Sequence, residues 1–167
     1  MENSFQSIND SDRIWVYQAE RSLSSEEVNI IQHSGNEFVA TWATHGKPLR
    51  AEVIVLHQLF VIVVLDERQA LASGCSIDKS LGWISVLGTQ LHINFTDRMQ
   101  VAWMDETKNI HAAPLPEFEA LAERGELEAD TLVFNNLVFN GREIKNNWLI
   151  PAKESWHNRY FPISLEN

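Results

Sequence analysis

Apolar residues recur with two different periods along the first half of the chain, and each period predicts one kind of element. The run from Arg13 to Ala19 is filled with β-favouring residues on both faces and predicts a strand. The capping-box pattern Ser24-x-x-Glu27 is then followed by apolar residues at helical spacing. This pattern predicts a helix from about Ser25 to about Ala43.

The next pattern predicts a β-hairpin. Two runs rich in Val, Ile and Leu, residues 51–56 and 59–65, are separated by His57-Gln58. Because neither His57 nor Gln58 is typical of a left-handed turn, we expect the loop to exceed two residues. Four consecutive aliphatic residues at 61–64 indicate that the second strand is covered on both faces.

A second helix is predicted from Ile77, because the apolar positions up to Leu91 keep to one helical face. Ser76 is the predicted N-cap, and the only cysteine, Cys75, then lies just before the helix. Beyond the helix, alternating residues predict a further strand over 98–104.

The order strand, helix, strand, strand, helix, strand predicts an α+β protein with a ferredoxin-like split β-α-β antiparallel sheet and two helices on one face. In that topology the third strand is central and the second lies at an edge. We therefore expect a loose leader at 1–12, a ferredoxin-like domain at 13–105 and a C-terminal unit at 106–167. The sheet face away from the helices would be covered by that unit or by a second subunit.

Residues 106–167 have a different pattern. Pro114-Leu115-Pro116 opens a predicted helix that ends near Glu123, and a short strand is predicted at 132–134. Together with the strand at 101–104, this segment resembles the GYF-like family, a compact α+β unit that in some members binds proline-rich peptides on aromatic residues. The resemblance covers about residues 101–150 and places the strand 98–104 in the C-terminal unit. Both assignments of that strand stay open.

The resemblance, with the aromatic content of the segment, implies a groove for an extended peptide. Its predicted lining is Trp103, Phe134 and Trp148, with Trp156 as a further candidate. Packing in the core is the competing interpretation for each of these rings.

Composition narrows the class of protein. The 167 residues include 44% hydrophobic residues and carry a formal charge of −10, which argues for a folded globule and against nucleic acid or an anionic membrane as the main partner. The N-terminus does not resemble a signal peptide, and the longest apolar run, 59–65, is too short to cross a bilayer. We expect a cytoplasmic protein without a cofactor or a metal.

The whole chain also resembles a family of small uncharacterised bacterial proteins, on Ser73-Gly74-Cys75-Ser76-Ile77-Asp78 and on Trp156-His157-x-Arg159. Members of that family are sometimes labelled "ABC transporter ATPase". The residues here contradict that label, because Gly46-Lys47 is followed by Pro48 where a P-loop needs Ser or Thr. Thr41 also occupies the place of the first P-loop glycine.

Two classes of function stay open. The leading hypothesis is a non-catalytic cytoplasmic binding or adaptor protein that recognises a peptide or protein partner, with a homodimer as a further possibility. The alternative is a thiol-dependent enzyme or redox sensor that uses Cys75 at a helix N-terminus, with His45 or His157 as the base. Against the alternative, a small buried cysteine often serves only to fill the core.

Overall fold

The fold is that of a computed structural model, in which residues 2–162 are described. Within this range the protein is a mixed α+β structure with antiparallel sheets. The strands are β1 Arg13–Gln18, β2 Ala43–Thr44, β3 Lys47–Pro48, β4 Arg50–Leu56, β5 Phe60–Asp66, β6 Gln100–Met104, β7 Ile110–Pro114, β8 Leu132–Phe134 and β9 Leu149–Pro151. The α-helices are α1 Ser25–Thr41, α2 Gly74–Leu91, α3 Leu115–Glu123 and α4 Gly141–Asn147. Short 3₁₀ helices cover Glu2–Phe5, Ala152–Glu154 and Trp156–Tyr160.

The first sheet has the order β1-β5-β4, with both pairs antiparallel. The third predicted strand is therefore central and the second is at an edge, as expected. Every residue of β5 is buried, which agrees with its unbroken aliphatic sequence. The β4–β5 loop spans residues 57–59, and both His57 and Gln58 adopt positive φ despite their side chains.

The predicted capping of α1 is confirmed. The Ser24 side chain accepts from the Glu27 amide, and the Glu27 carboxylate accepts from the Ser24 amide. The prediction for α2 is wrong by three residues, because Ser73 rather than Ser76 is the N-cap. Ser73 and Ser76 make reciprocal side-chain to backbone bonds, and these start the helix at Gly74. Cys75 therefore lies inside the first turn of α2 and does not precede it.

Both long helices pack on one face of the first sheet. Gly35 of α1 lies so close to β4 that an added Cβ would be 2.8 Å from the Val53 side chain. Trp42, which ends α1, packs edge-on against Trp15 of β1 and donates its indole N–H to the Ser76 carbonyl of α2. A small residue at Gly35 thus allows the close approach of helix and sheet.

β6 does not extend the first sheet. It lies in a second antiparallel sheet of order β7-β6-β8-β9, so of the two assignments left open for this strand the one to the C-terminal unit agrees with the structure. In the described residues the first sheet has three strands, and the four-stranded ferredoxin-like sheet is not formed. The turn after β6 explains this pairing, because the Asp105 carboxylate accepts from the Thr107 and Asn109 amides and directs the chain back as β7. On the side of β1 away from β5, where a fourth strand would pair, the Ile14 amide donates to the Phe139 carbonyl.

The second face of the first sheet is covered from two directions. Phe60 of β5 contacts the rings of Phe134 and Trp148 from the C-terminal half, with centroids 4.7 and 4.9 Å away. The N-terminal segment, expected to be loose, contributes Phe5 and Ile8 to the same core, with 8% and 2% of their surface exposed. One core therefore joins the first sheet to residues from both ends of the chain.

A second, smaller core lies between the second sheet, α3 and the C-terminal 3₁₀ turns. Phe118 of α3 is fully buried there, beside Trp103, Val133 and Phe161. In the described residues, no helix has the length and apolar character needed to cross a membrane.

Candidate functional site

The structure separates the four aromatic residues that were expected to form a peptide groove. Phe134 and Trp148 are each 1% exposed and belong to the first core, whereas Trp103 is 8% exposed and belongs to the second. Trp156 is partly buried and stacks on His157, with ring centroids 3.8 Å apart. In this conformation the four rings do not line one surface. Phe134 and Trp148 have almost no exposed surface that a partner could contact.

His157 is also a core residue and has no exposed surface. Its Nδ1 lies 2.7 Å from the Ser155 hydroxyl oxygen, and that hydroxyl donates to the Ala152 carbonyl. This arrangement favours the tautomer in which Nδ1–H donates to Ser155. The Nε2 atom is buried without a hydrogen-bond partner, and burial lowers the pKa of His157 to about 4.

The low pKa of His157 predicts a loss of stability in weak acid. The unfolded imidazole has a pKa of about 6.5, so between about pH 6.5 and 4 the unfolded state binds more protons. Stability is fully present above this window and falls on acidification, by on the order of 2–3 kcal/mol at pH 4. Urea unfolding across the window should show this slope, and His157→Asn should reduce it.

The matched control for this experiment is His33→Asn, since His33 lies on the exposed face of α1. The slope should decrease more in His157→Asn than in this variant. An equal slope in the His157→Asn and wild-type proteins would contradict the assignment. The carboxylates with lowered pKa, among them Glu27 beside Arg21 with a pKa of about 2, begin to lose their contribution near pH 4.5 and lose most of it below the window.

Cys75 and His45 occupy separate exposed positions. The Cys75 thiol is exposed in the first turn of α2, and His45 is exposed in the β2–β3 turn, where it and Gly46 both have positive φ. In the described part of the chain, no hydrogen bond joins Cys75 to His45 or to His157. The exposure that a reactive thiol needs is present, but a neighbouring base is not provided by these two histidines.

Among the described residues, the outer edge of β4 pairs with no other strand. The Gln32 amide donates to the Val53 carbonyl over 2.8 Å, so the backbone groups of Val53 point away from β5. The pairing of β1 with β5 gives the same result. The Ile14 amide points away from β5, so the next residue, Trp15, forms the hydrogen-bonded pair with Val63. The backbone groups of Val63 therefore face β1 and not β4. Strand alternation then directs the backbone groups of Ala51 and Val55 outward as well.

The side chains along this edge are partly exposed and mainly apolar. Ala51, Ile54, Val55 and Leu56 are all half-buried, and β4 contains neither proline nor lysine, which many proteins use to block an edge strand. Gln32, held by Asn36 of the next helical turn, is the one side chain that bonds to this edge in the described residues. β4 is therefore a candidate template for an added strand.

A polar pocket of about 280 Å³ lies beside the first half of β4. Its charged lining consists of Asp12, Arg50, Glu52, Asp66 and Arg68. The Arg68 guanidinium donates to both oxygens of the buried Asp66 carboxylate, at 2.8 and 2.6 Å, and lowers the pKa of Asp66 well below its usual range. Asp12 accepts from the Asn9 backbone and side chain. Arg50 and Glu52 form no ion pair with any residue in the range 2–162.

Part of this edge can be predicted from the sequence. The run 51–56 was expected at the edge of the sheet, and period-two alternation places Arg50, Glu52, Ile54 and Leu56 on one face. The open backbone and the adjacent pocket depend on which residues pack nearby, and the sequence does not give that. No family model matches the chain, and neither curated proteins nor solved structures provide a significant match.

Proposed function

We propose that the protein is a non-catalytic binding or adaptor protein that recognises an extended segment of a peptide or protein partner at the outer edge of β4. The observation that carries the proposal is the row of outward backbone groups at Ala51, Val53 and Val55, flanked by half-exposed apolar side chains. The Val53 carbonyl accepts from Gln32, and a bound peptide would replace that bond with one of its own. An extended peptide satisfies such a row by adding a strand, and pockets on either face then select its side chains.

The GYF-like resemblance of residues 101–150 supports a peptide as the class of ligand, although the proposed surface lies in the first sheet. The strand order β1-β5-β4 supports it too, because β4 lies at the edge of this sheet.

A peptide suits this edge better than a second copy of the chain. With odd-numbered residues forming the new hydrogen bonds, symmetric antiparallel pairing centred on Val53 places Arg50 opposite Leu56 and Glu52 opposite Ile54. Shifting the centre to Glu52 places two like charges opposite each other. Centring on Ala51 pairs Arg50 with Glu52, but it overlaps only residues 50–52 of the two strands. A partner with its own sequence can match the whole of β4, so we expect β4 to leave the protein monomeric in sedimentation.

Hydrogen exchange of the β4 amides tests the proposal. Heptapeptides selected by display for binding to the intact protein should slow exchange at Ala51, Val53 and Val55 and leave Glu52 and Ile54 unchanged, because those two amides already bond to β5. Protection that appears only elsewhere, such as around the exposed Leu137 and Phe139, would contradict the proposed site.

Val55→Pro is expected to reduce the affinity of these peptides by at least about tenfold, because proline removes one outward N–H while an edge strand tolerates it on that side. The matched control is Val55→Thr, which keeps the N–H and the β-branched shape. Thermal unfolding should verify that both variants remain folded. Equal affinities for the proline and threonine variants would show that the peptide does not pair with β4.

A further inference from the structure

The charged residues of β4 carry an inference about the sequence of the bound segment, which rests on the proposed function. Arg50 and Glu52 lie two residues apart on the face that contains the polar pocket. They are followed on that face by Ile54 and Leu56. Each position of an added strand would therefore face a side chain of known chemistry.

The pocket gives this face its selectivity. Its other charged side chains already have partners, since Arg68 is bound to Asp66 and Asp12 is bound to Asn9. Arg50 and Glu52 form no ion pair among the described residues, although, beside the larger effect of Arg68, the positive charge of Arg50 helps to lower the pKa of Asp66. A ligand that gives one opposite charge to each of them would form two new pairs without breaking an existing one.

The strand direction follows from the sheet. Both described pairs of the first sheet are antiparallel, and an antiparallel segment continues that hydrogen-bonding pattern at β4. Its N-terminal end then lies beside Leu56 and its C-terminal end beside Arg50. Residues that face Ala51, Val53 and Val55 lie on the side of α1, where Gly35 leaves little room above Val53.

We propose that the β4 edge selects an extended segment of the pattern apolar-x-apolar-x-basic-x-acidic, with the basic residue opposite Glu52 and the acidic residue opposite Arg50. The two apolar residues face Leu56 and Ile54. Small or β-branched residues occupy the intervening positions on the helix side. The pattern requires the basic residue to precede the acidic one. Attraction of a peptide to the negative net charge of the protein would not depend on that order.

Two synthetic peptides of identical composition test this order. The first is acetyl-Val-Thr-Ile-Thr-Lys-Thr-Asp-amide, and the second exchanges its Lys and Asp. The wild-type protein should bind the first peptide about tenfold more tightly, because each opposite-charge pair stabilises the added strand and each like-charge pair destabilises it. The preference should decrease strongly at 1 M salt, where the Debye length is about 3 Å.

The double variant Arg50→Glu, Glu52→Arg is the matched exchange in the protein. It keeps the net charge of −10 and the length of β4, and it should bind the second peptide more tightly than the first. Equal affinities of the wild-type protein for the two peptides, with β4 amides protected, would overturn the charge pattern and leave strand addition intact. Failure of both peptides and of every displayed heptapeptide to protect these amides would overturn strand addition as well.

Discussion

Replacing Gly141 by alanine should destabilise the protein by about 3 kcal/mol, one of the largest effects expected of any single methyl group in the chain. Gly141 is the first residue of α4, and a Cβ built there would lie 1.8 Å from the Asn9 carbonyl oxygen. The obstacle is backbone, so no side-chain rotation relieves it. Either α4 or the N-terminal segment must move.

Movement of the N-terminal segment would be costly because of what that segment buries. Its backbone accepts from the Gly141 and Arg142 amides, at 2.9 and 3.1 Å, through the carbonyls of Asp12 and Asp10. Phe5 and Ile8 would also lose their burial, which contributes about 1.5–3 kcal/mol for each side chain. We expect the free energy of unfolding in urea to fall and chymotrypsin to cleave at Phe5 in the variant.

Gly82→Ala is the matched control. Gly82 lies in the middle of α2, on its exposed face. Apart from its chain neighbours and the backbone of α2, no atom lies within 4 Å of a Cβ added there. The same substitution should therefore stabilise the protein by about 0.5–1 kcal/mol through helix propensity. If Gly141→Ala and Gly82→Ala had similar stabilities, the N-terminal segment would not pack on α4 in the way described.

The elements that could be predicted from sequence are those with helical spacing or a bounded run of β-favouring residues. Helical spacing marks α1 and α2, and such runs mark β1, β4 and β5; all five agree with the structure within a few residues. The start of α2 was misplaced because Ser73 and Ser76 both suit an N-cap, and only the reciprocal bonds between them select Ser73. The local pattern predicts the helix, but the choice between two possible N-caps depends on the folded backbone.

The partners of β6 and the whole of β7 were beyond the sequence pattern. The run Ile110–Pro114 has a weak β preference, and it becomes a strand because the turn fixed by Asp105 returns it beside β6. Alternation in β6 predicts a strand without saying which sheet contains it. Which strands pair with β6 depends on the turn that follows it and on which sheet edges are already occupied, and both are properties of the tertiary structure.

The candidate site shows the same limit. The sequence predicted a groove lined by Trp103, Phe134 and Trp148, but it could not show that the chain folds over these rings and divides them between two cores. Aromatic residues in irregular segments are compatible with either an exposed shelf or a core, and burial decides between the two. Here Trp148 is 1% exposed.

Replacing Trp148 by alanine should therefore act on stability first, with an expected loss of about 3–5 kcal/mol. The indole lies with its ring centroid 4.9 Å from Phe60 of the first sheet and 4.9 Å from Phe134 of the second. Its N–H donates to the Asn136 side chain over 3.0 Å, and Asn136 in turn donates to the half-satisfied, buried Gln18. The substitution would empty the junction of the two sheets and leave a polar network incomplete.

Trp148→Phe helps to separate these two contributions, because it removes the N–H donor and keeps much, though not all, of the ring contact. We expect it to cost about 1–2 kcal/mol, and we expect Trp156→Ala, which truncates a partly exposed ring outside this junction, to cost less than Trp148→Ala. Urea unfolding followed by both fluorescence and circular dichroism gives the three values. A loss below about 1 kcal/mol for Trp148→Ala would mean that the first sheet and the C-terminal half do not share a core, and the aromatic groove would again be open to a ligand.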